Sequence, residues 1–389
     1  MLKYLYLIKL PKKASIFCKL YICIFCYASC FQIGKAQAIK AFYIGHSLSD
    51  QIPDMTKSLS DNHSGVMMDW VYQSIPGAPL RWQWDRKDQQ DYGENLPYFA
   101  GFYNSNHGLP SGDFDVLVLT ESVPRHVTPW GIFETYQYVD SFYHYFIQFN
   151  PGKQIYLYEV WHCLQSGTPN GCSYDIDSSP WRQRLDDDLA MWESVLDTIN
   201  CRLQPEIPIR MIPGAQALAR LHDSIQEGAI PGIHQISDLF TDDIHLSDQG
   251  KYFIACVHFS VLYGISPEGL THQTQVWWGG NFDPPTPIQA LKFQQIAWQT
   301  VTDLYRLTGV FPDGKHSDRM VWKGIRSDSA SNPCNWDNVH TPTIENTVIV
   351  PGQTPHGLTI DNHLTIKALH ALPQAHIILP AGIILEIDP

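Results

Sequence analysis

Asp242 and His245 stand three positions apart in Thr241-Asp-Asp-Ile-His-Leu-Ser247, about two hundred residues after Phe42-Tyr-Ile-Gly-His-Ser47-Leu-Ser49. A hydroxyl, an imidazole and a carboxylate are the parts of an acyl-transfer site. The ring takes the proton of the attacking hydroxyl, and the carboxylate holds the ring in the tautomer that can do so. Neither motif is specific by itself: Gly-x-Ser occurs at 45–47, 171–173 and 264–266, and Asp-x-x-His at 242–245, 313–316 and 337–340. Position selects one of each. Ser47 follows an apolar strand by two residues, where a strand-to-helix turn exposes Oγ and aims the backbone N–H outward. The first Asp-x-x-His precedes an apolar helix whose Phe253, Ile254, Val257, Val261 and Leu262 dock it rigidly, so the imidazole is held within reach of the hydroxyl. Ser47 lacks a glycine two residues on, which excludes the nucleophile elbow of α/β-hydrolases.

The elements that must position these residues alternate along the chain. Short apolar runs at 40–45, 66–72, 115–120, 154–158 and 207–212 read as strands, and the third is continuously apolar, as in a sheet covered on both faces. Helical spacing marks 52–59, 132–149, 181–203, 215–225 and 248–263; in 181–203, Leu185, Leu189, Trp192, Val195, Leu196 and Ile199 recur at three- and four-residue steps. Five strands alternating with helices predict an α/β three-layer sandwich around a five-stranded parallel sheet. Ligands of such sheets lie beyond the carboxyl ends of the strands. Ser47 falls there, as do Glu121 after the third strand and Glu159 and His162 after the fourth. Those three, with Asn104 and Asn106 in a turn upstream of the third strand, are candidate substrate-pocket residues.

This arrangement resembles the SGNH (GDSL-like) hydrolases over residues 39–263. The first family block reads Ile44-Gly-His-Ser47-Leu, with His46 where Asp or Asn is commoner. The second reads Ser74-Ile-Pro-Gly77-Ala, and the last Asp242-Asp-Ile-His245-Leu. The third departs: Leu119-Thr-Glu121-Ser-Val-Pro124 stands where the family has Gly-x-Asn-Asp. The resemblance implies a flavodoxin-like sheet order, Ser47 as nucleophile, His245 as base, Asp242 as its orienting carboxylate, and an oxyanion hole from the amides of Ser47 and Gly77 without the asparagine donor.

Composition sets the remaining bounds. The chain has 389 residues, 44% apolar and 12% aromatic, which fits a packed globular protein with an appendage. Residues 1–38 read as a signal peptide: lysines lead into an apolar run at 20–31, and Ala36-Gln37-Ala38 supplies small residues for cleavage. The run is shorter than the roughly 20 residues a membrane span needs. Cys30 offers a lesser reading, lipidation. Six lysines leave with that segment, so 20 basic side chains face 39 acidic ones. So acidic a surface disfavours nucleic acid and anionic membranes. Among the remaining cysteines, Cys163 and Cys172 bracket a turn-rich loop suited to a short disulfide in an oxidising compartment. Cys201 and Cys256 read as small buried residues in helices. No Cys/His spacing implies zinc, and no metal or cofactor is expected.

Thr286 and Pro287 open a further helix, which is assigned to a hydrolase domain at 39–312. From 320 to 389 the chain resembles a β-solenoid-like tail: Cys334-Asn-Trp336 and then Thr347-Val-Ile-Val350 look like the opening of its repeats, and Leu364-Thr-Ile366, His376-Ile-Ile-Leu379 and Gly382-Ile-Ile-Leu-Glu-Ile387 continue it as short strands between turns. This small all-β tail would pack on the hydrolase or attach the protein to a cell surface. Twelve Trp and nineteen Tyr residues, with Trp82, Trp84 and Trp277-Trp278 near predicted loops, offer platforms for sugar rings. The expected activity is secreted, periplasmic or cell-surface removal of acetyl or other short acyl groups from an acylated small molecule or polysaccharide. The rivals are a non-catalytic carbohydrate-binding protein on a decayed scaffold and a sugar O-acetyltransferase using the same serine.

Overall fold

Why Ser47 ends up where it does begins with β1, Gln37–Gly45, whose Ala41, Phe42, Tyr43 and Ile44 are fully buried between two layers of helices. The computed structural model describes residues 37–86, 97–125, 131–167 and 171–388. The signal peptide and the Cys30 reading therefore fall outside the described residues, apart from the exposed Gln37 and Ala38 at the start of β1.

Four further strands complete the sheet: β2, Val66–Ser74, β3, Val116–Thr120, β4, Gln154–Glu159, and β5, Arg210–Pro213. Their spatial order is 2-1-3-4-5, the flavodoxin-like order. Register pairs Tyr43 with Val118, Val118 with Tyr156 and Tyr158 with Ile212. The winding reverses between β1 and β3, so their carboxyl ends flank the crevice in which ligands bind.

Two helical layers cover the sheet. In one, α1, Ile52–Asp61, packs on α6, Asp248–Tyr263, which packs on α7, Pro287–Asp303. In the other, α2, Leu80–Asp85, α3, Gly131–Phe149, and α4, Trp181–Leu203, pack in succession. The edge helix α5, Gly214–Gln226, touches α4, α6 and α7. Thirteen of the sixteen residues of α6 are buried, so it is a core helix rather than a surface one. Ser247 caps it by accepting from Gly250 N at 3.4 Å, which fixes its start just after His245. Thr286 and Gln289 form the capping box of α7 with Pro287 at its first turn.

Two elements differ from the sequence reading. β5 starts at Arg210, not Ile207, because the Asn200 side chain occupies the backbone of Ile209: its Nδ2 donates to Ile209 O at 2.9 Å, and its Oδ1 accepts from Ile209 N at 2.8 Å. The short helix α2 has no counterpart in the reading. Gln83 on it donates to Gly45 O and accepts from Gln73 Nε2 at 2.9 Å, tying the second loop to the end of β1.

The carboxyl-terminal region builds a separate small core from Met320, Trp322, Trp336, Val348, Val350, Leu358 and Ile366. Its strands stack in parallel. β6, Arg319–Val321, β7, Thr347–Val350, and β10, Ala368–Ala371, share one sheet. β8, Leu358–Thr359, pairs with β11, Ile377–Ile378, and β9, Leu364–Ile366, with β12, Leu385–Ile387. Residues 38–389 make one compact unit. The tail is fastened to α4 by a Cys201–Cys334 disulfide and by Lys323 on Asp197, and to β5 by Arg210 on Asp337 at 3.0 Å. This corrects the reading of Cys201 as a plain buried residue; its partner is 133 positions away, and spacing alone gives no sign of it. Cys256 is free and buried.

Candidate active site

Ser47 opens a one-turn helix at the end of β1, with His46 as its cap. His46 Nδ1 accepts from Leu48 N at 3.4 Å, and its Nε2 lies 3.2 Å from Glu121 O. The cap leaves Ser47 half-buried at the mouth of the crevice. Across it, His245 Nε2 sits 2.9 Å from Ser47 Oγ, and His245 Nδ1 sits 2.7 Å from Asp242 Oδ2. Hydroxyl, ring and carboxylate form one continuous hydrogen-bonded row.

The 242–245 turn closes on itself. Asp242 Oδ1 accepts from Ile244 N at 2.8 Å and His245 N at 2.7 Å, and Thr241 N donates to His245 O at 2.8 Å. Partial burial pushes the Asp242 carboxyl up, but the bonds from His245 and the two amides outweigh it and hold the group below its ordinary range. Asp242 is therefore charged at neutral pH, and a charged carboxylate in this position is able to stabilise an imidazolium beside it.

Gly77 takes φ +65° after β2, and a side chain there would meet nothing within 4 Å, so its backbone lies open to the crevice. Neither the Ser47 nor the Gly77 amide donates to an acceptor among the described residues. Two open N–H groups beside a hydroxyl are suited to the negative oxygen of a tetrahedral adduct.

The crevice has two lobes that meet at Ser47 and His245. One, about 510 Å³, is mainly apolar, lined by Leu48, Pro76, Gly77, Val123, Tyr174 and Ile244. The other, about 390 Å³, has an aromatic wall of Trp70, Tyr72, Phe99, Trp277 and Trp278 above Asp50, Asp54, Asp248 and Lys251. Trp278 is 60% exposed at the lip. Its loop is tied to α1: Asp54 Oδ1 accepts from Trp277 N at 2.7 Å, and Ser58 Oγ accepts from Gln275 N at 3.0 Å. Burial raises the Asp54 carboxyl to about 7.

The other pocket candidates lie elsewhere. Glu121 is buried and turned inward, accepting from Leu80 N at 3.1 Å, Ser122 N at 2.8 Å, Arg125 Nη2 at 2.7 Å and Thr135 Oγ1 at 2.9 Å. It organises the loops around the crevice and does not line it. Glu159 is fully buried under α5, accepting from Gln216 N at 3.1 Å, and burial raises it to about 8. His162 is buried among Asp188, Asp175 and Arg184; burial lowers its pKa, but the two carboxylates prevail and raise it. Asn104 Oδ1 accepts from Asn106 N at 2.9 Å and His107 N at 3.0 Å, so both asparagines serve a surface turn. Glu121, Glu159 and His162 follow strands at the carboxyl edge of the sheet, but the side chain of each found a closer partner. The expected bridge between Cys163 and Cys172 is present. These sulfurs and Asp243 are the one grouping of three metal-binding side chains among the described residues, and bonded sulfurs offer no thiolate.

Sequence reasoning misses Asp54, Lys251 and His46 as groups shaping the site. The signal for Asp54 is its place two residues into a helix that starts near Ser47; nothing local marks the loop it anchors.

Neither a scan against protein-family models nor a search of curated proteins finds a match. Similar solved structures include a DUF4886 family protein from Bacteroides uniformis ATCC 8492, 15% identical, covering 72% of this chain and 98% of that one, with a TM-score of 0.51. A candidate GDSL-like lipase from Parabacteroides merdae ATCC 43184 is 14% identical over 58% of this chain and 95% of its own, at a TM-score of 0.37. A Clostridium thermocellum family 3 carbohydrate esterase is 11% identical over 58% and 94%, at 0.34. The chain shares its fold, helices on both faces of a five-stranded parallel sheet in flavodoxin-like order, with the Bacteroides uniformis protein, and it carries a hydrogen-bonded Ser, His and Asp at the carboxyl edge of that sheet.

Proposed function

We propose that this protein is a secreted serine esterase that removes acetyl or other short acyl groups from carbohydrate. The observation that carries the reading is the row from Ser47 through His245 to Asp242 beside the open amides of Ser47 and Gly77. Ser47 Oγ attacks the ester carbonyl while His245 Nε2 takes its proton. The carbonyl oxygen becomes an oxyanion facing the two amides. The adduct collapses as His245 returns the proton to the departing alcohol, leaving an acyl-serine, and water activated by the same ring releases the acid.

With Glu121 turned inward, the third block brings Ser122 to the crevice where the family has its asparagine, and the Ser122 hydroxyl is engaged, donating to Glu121 Oε1 at 3.5 Å and accepting from Arg125 Nη2 at 3.0 Å. Losing one oxyanion donor typically costs on the order of 10²–10³ in rate, so turnover is slower than a three-donor hole would give. The apolar lobe suits the acyl group. The lobe with the aromatic wall and carboxylates suits the hydroxylated alcohol, because ring faces stack on Trp and hydroxyls donate to Asp. Two disulfides fit an oxidising compartment, which supports secretion.

The test is release of p-nitrophenol from p-nitrophenyl acetate by wild type and Ser47→Ala, followed by acetate release from acetylated xylan. Equal rates for the two proteins would favour a non-catalytic binding protein. Acetyl transfer to an added sugar at the expense of hydrolysis would favour a transferase.

A further inference from the structure

We propose that Asp243, clamped by the Cys163–Cys172 loop, is the positioning residue for the 242–245 turn; the inference rests on the serine-esterase reading. The turn itself is poorly buried, with the His245 and Asp242 side chains 40% and 55% exposed. The hydrogen bonds described for Asp242 all stay within it. What fixes it against the sheet comes from the residues that follow β4. Leu164 N donates to Asp243 O at 2.7 Å, Gln165 N donates to Asp243 Oδ1 at 3.0 Å, and the Trp161 indole donates to Ile244 O at 2.8 Å.

Leu164 and Gln165 are held in turn by the disulfide. Cys163 is bonded to Cys172, Cys172 N donates to Gln165 O at 3.2 Å, and Gly167 N donates to Cys172 O at 3.0 Å. The Cys172 sulfur lies 3.6 Å from Asp243 Oδ2. Gly171 presses so closely on this segment that a Cβ there would sit 2.1 Å from Gln165 O. Bridge, loop amides and Asp243 thus form one unit, and His245 is two residues beyond it. A shift of about 1 Å in such a unit is enough to cost roughly 10²-fold in rate, because the ring nitrogen leaves the line of the hydroxyl.

The clamp is reducible. A dithiol passes two electrons and two protons to the bridge, leaving Cys163 and Cys172 as thiols and the reductant as its cyclic disulfide. That frees the loop amides from the covalent constraint that aims them at Asp243.

The experiment measures kcat and KM for p-nitrophenyl acetate, with melting temperature, in the full-length protein. Expected are a kcat for Asp243→Ala lowered about 10- to 100-fold at unchanged KM and rescue in Asp243→Asn, whose Oδ1 still accepts from Gln165 N. A double Cys163→Ser/Cys172→Ser variant and dithiothreitol-treated wild type should behave like Asp243→Ala. Cys201→Ser/Cys334→Ser should keep the wild-type kcat. Should Asp243→Ala fail to fold, Gly171→Ala displaces the same loop without touching Asp243 and should lower kcat similarly. Wild-type kcat in a folded Asp243→Ala or Gly171→Ala protein, with Ser47→Ala inactive, overturns the clamp alone. Equal hydrolysis by wild type and Ser47→Ala overturns the esterase reading and the clamp with it.

Discussion

His46 Nε2 lies 3.2 Å from the carbonyl oxygen of Glu121, joining the serine-bearing turn after β1 to the loop after β3 across the switch point of the sheet. A carbonyl only accepts, so Nε2 carries the hydrogen, and Nδ1 is left to accept from Leu48 N. Both ring nitrogens are thus used by the neutral form. Burial lowers the His46 pKa to about 4, and the bond to Glu121 O only partly offsets it.

Acid should weaken this fold through its buried neutral histidines. His46, and likewise buried His258, lowered by burial to about 3, stay neutral in the folded chain at pH values where the unfolded chain, near 6.5, protonates them. Between these values the unfolded state binds more protons. Stability is therefore full above about pH 6.5 and falls as pH drops toward the folded values, by at most about 3 kcal/mol for His46. Urea unfolding at pH 7.5 and 4.5 should show a smaller acid loss in His258→Phe than in wild type. An equal loss in the two proteins would count against it.

Glu159 works in the opposite direction. Burial raises its pKa to about 8, against an ordinary value of 4.5. From about 4.5 to 8 the folded state holds a proton that the unfolded state has released, so this group's contribution falls as pH rises. Glu159→Gln keeps an acceptor for Gln216 N and should stabilise the protein by about 1 kcal/mol or more at pH 8.5, with no gain at pH 4. Urea midpoints at the two pH values check this.

Asp54 should act on binding rather than on chemistry. Its bond to Trp277 N holds the aromatic wall of the polar lobe, yet it is not part of the row through Ser47. Asp54→Ala is expected to raise KM for acetylated sugar by about 3- to 10-fold, the value of roughly one hydrogen bond, and to leave kcat for p-nitrophenyl acetate within about twofold. Asp54→Asn should fall between Ala and wild type. A kcat loss on both substrates would contradict the assignment.

The tether between Cys201 and Cys334 should matter for stability. It closes a loop of 133 positions, and a native bridge of this kind contributes about 2–5 kcal/mol. Cys201→Ser/Cys334→Ser should unfold at correspondingly lower urea while its kcat stays at the wild-type level.

Much of the architecture was legible in the residues because it is set by local pattern. Continuous apolar runs such as Val116–Thr120 can form only where both faces are covered, and the three- and four-residue steps of 181–203 permit little but a helix. Ser47, Asp242 and His245 were legible for the same reason: each sits at the end of a strand or the start of a helix whose pattern is plain, and parallel crossovers bring such ends to one edge. What local pattern cannot state is where a side chain at that edge turns. Glu121, Glu159 and His162 stand at the correct strand ends, but burial forces each to seek hydrogen-bond partners, and those partners, Leu80 N, Gln216 N and Asp188, come from segments distant in sequence. The same holds for Cys201 and Cys334, for Asp54 under Trp277, and for Asp243 beneath the loop after β4. Residue order determined at which edge of the sheet Ser47, His245 and Asp242 meet; only the packed chain decided which polar groups were free to face them.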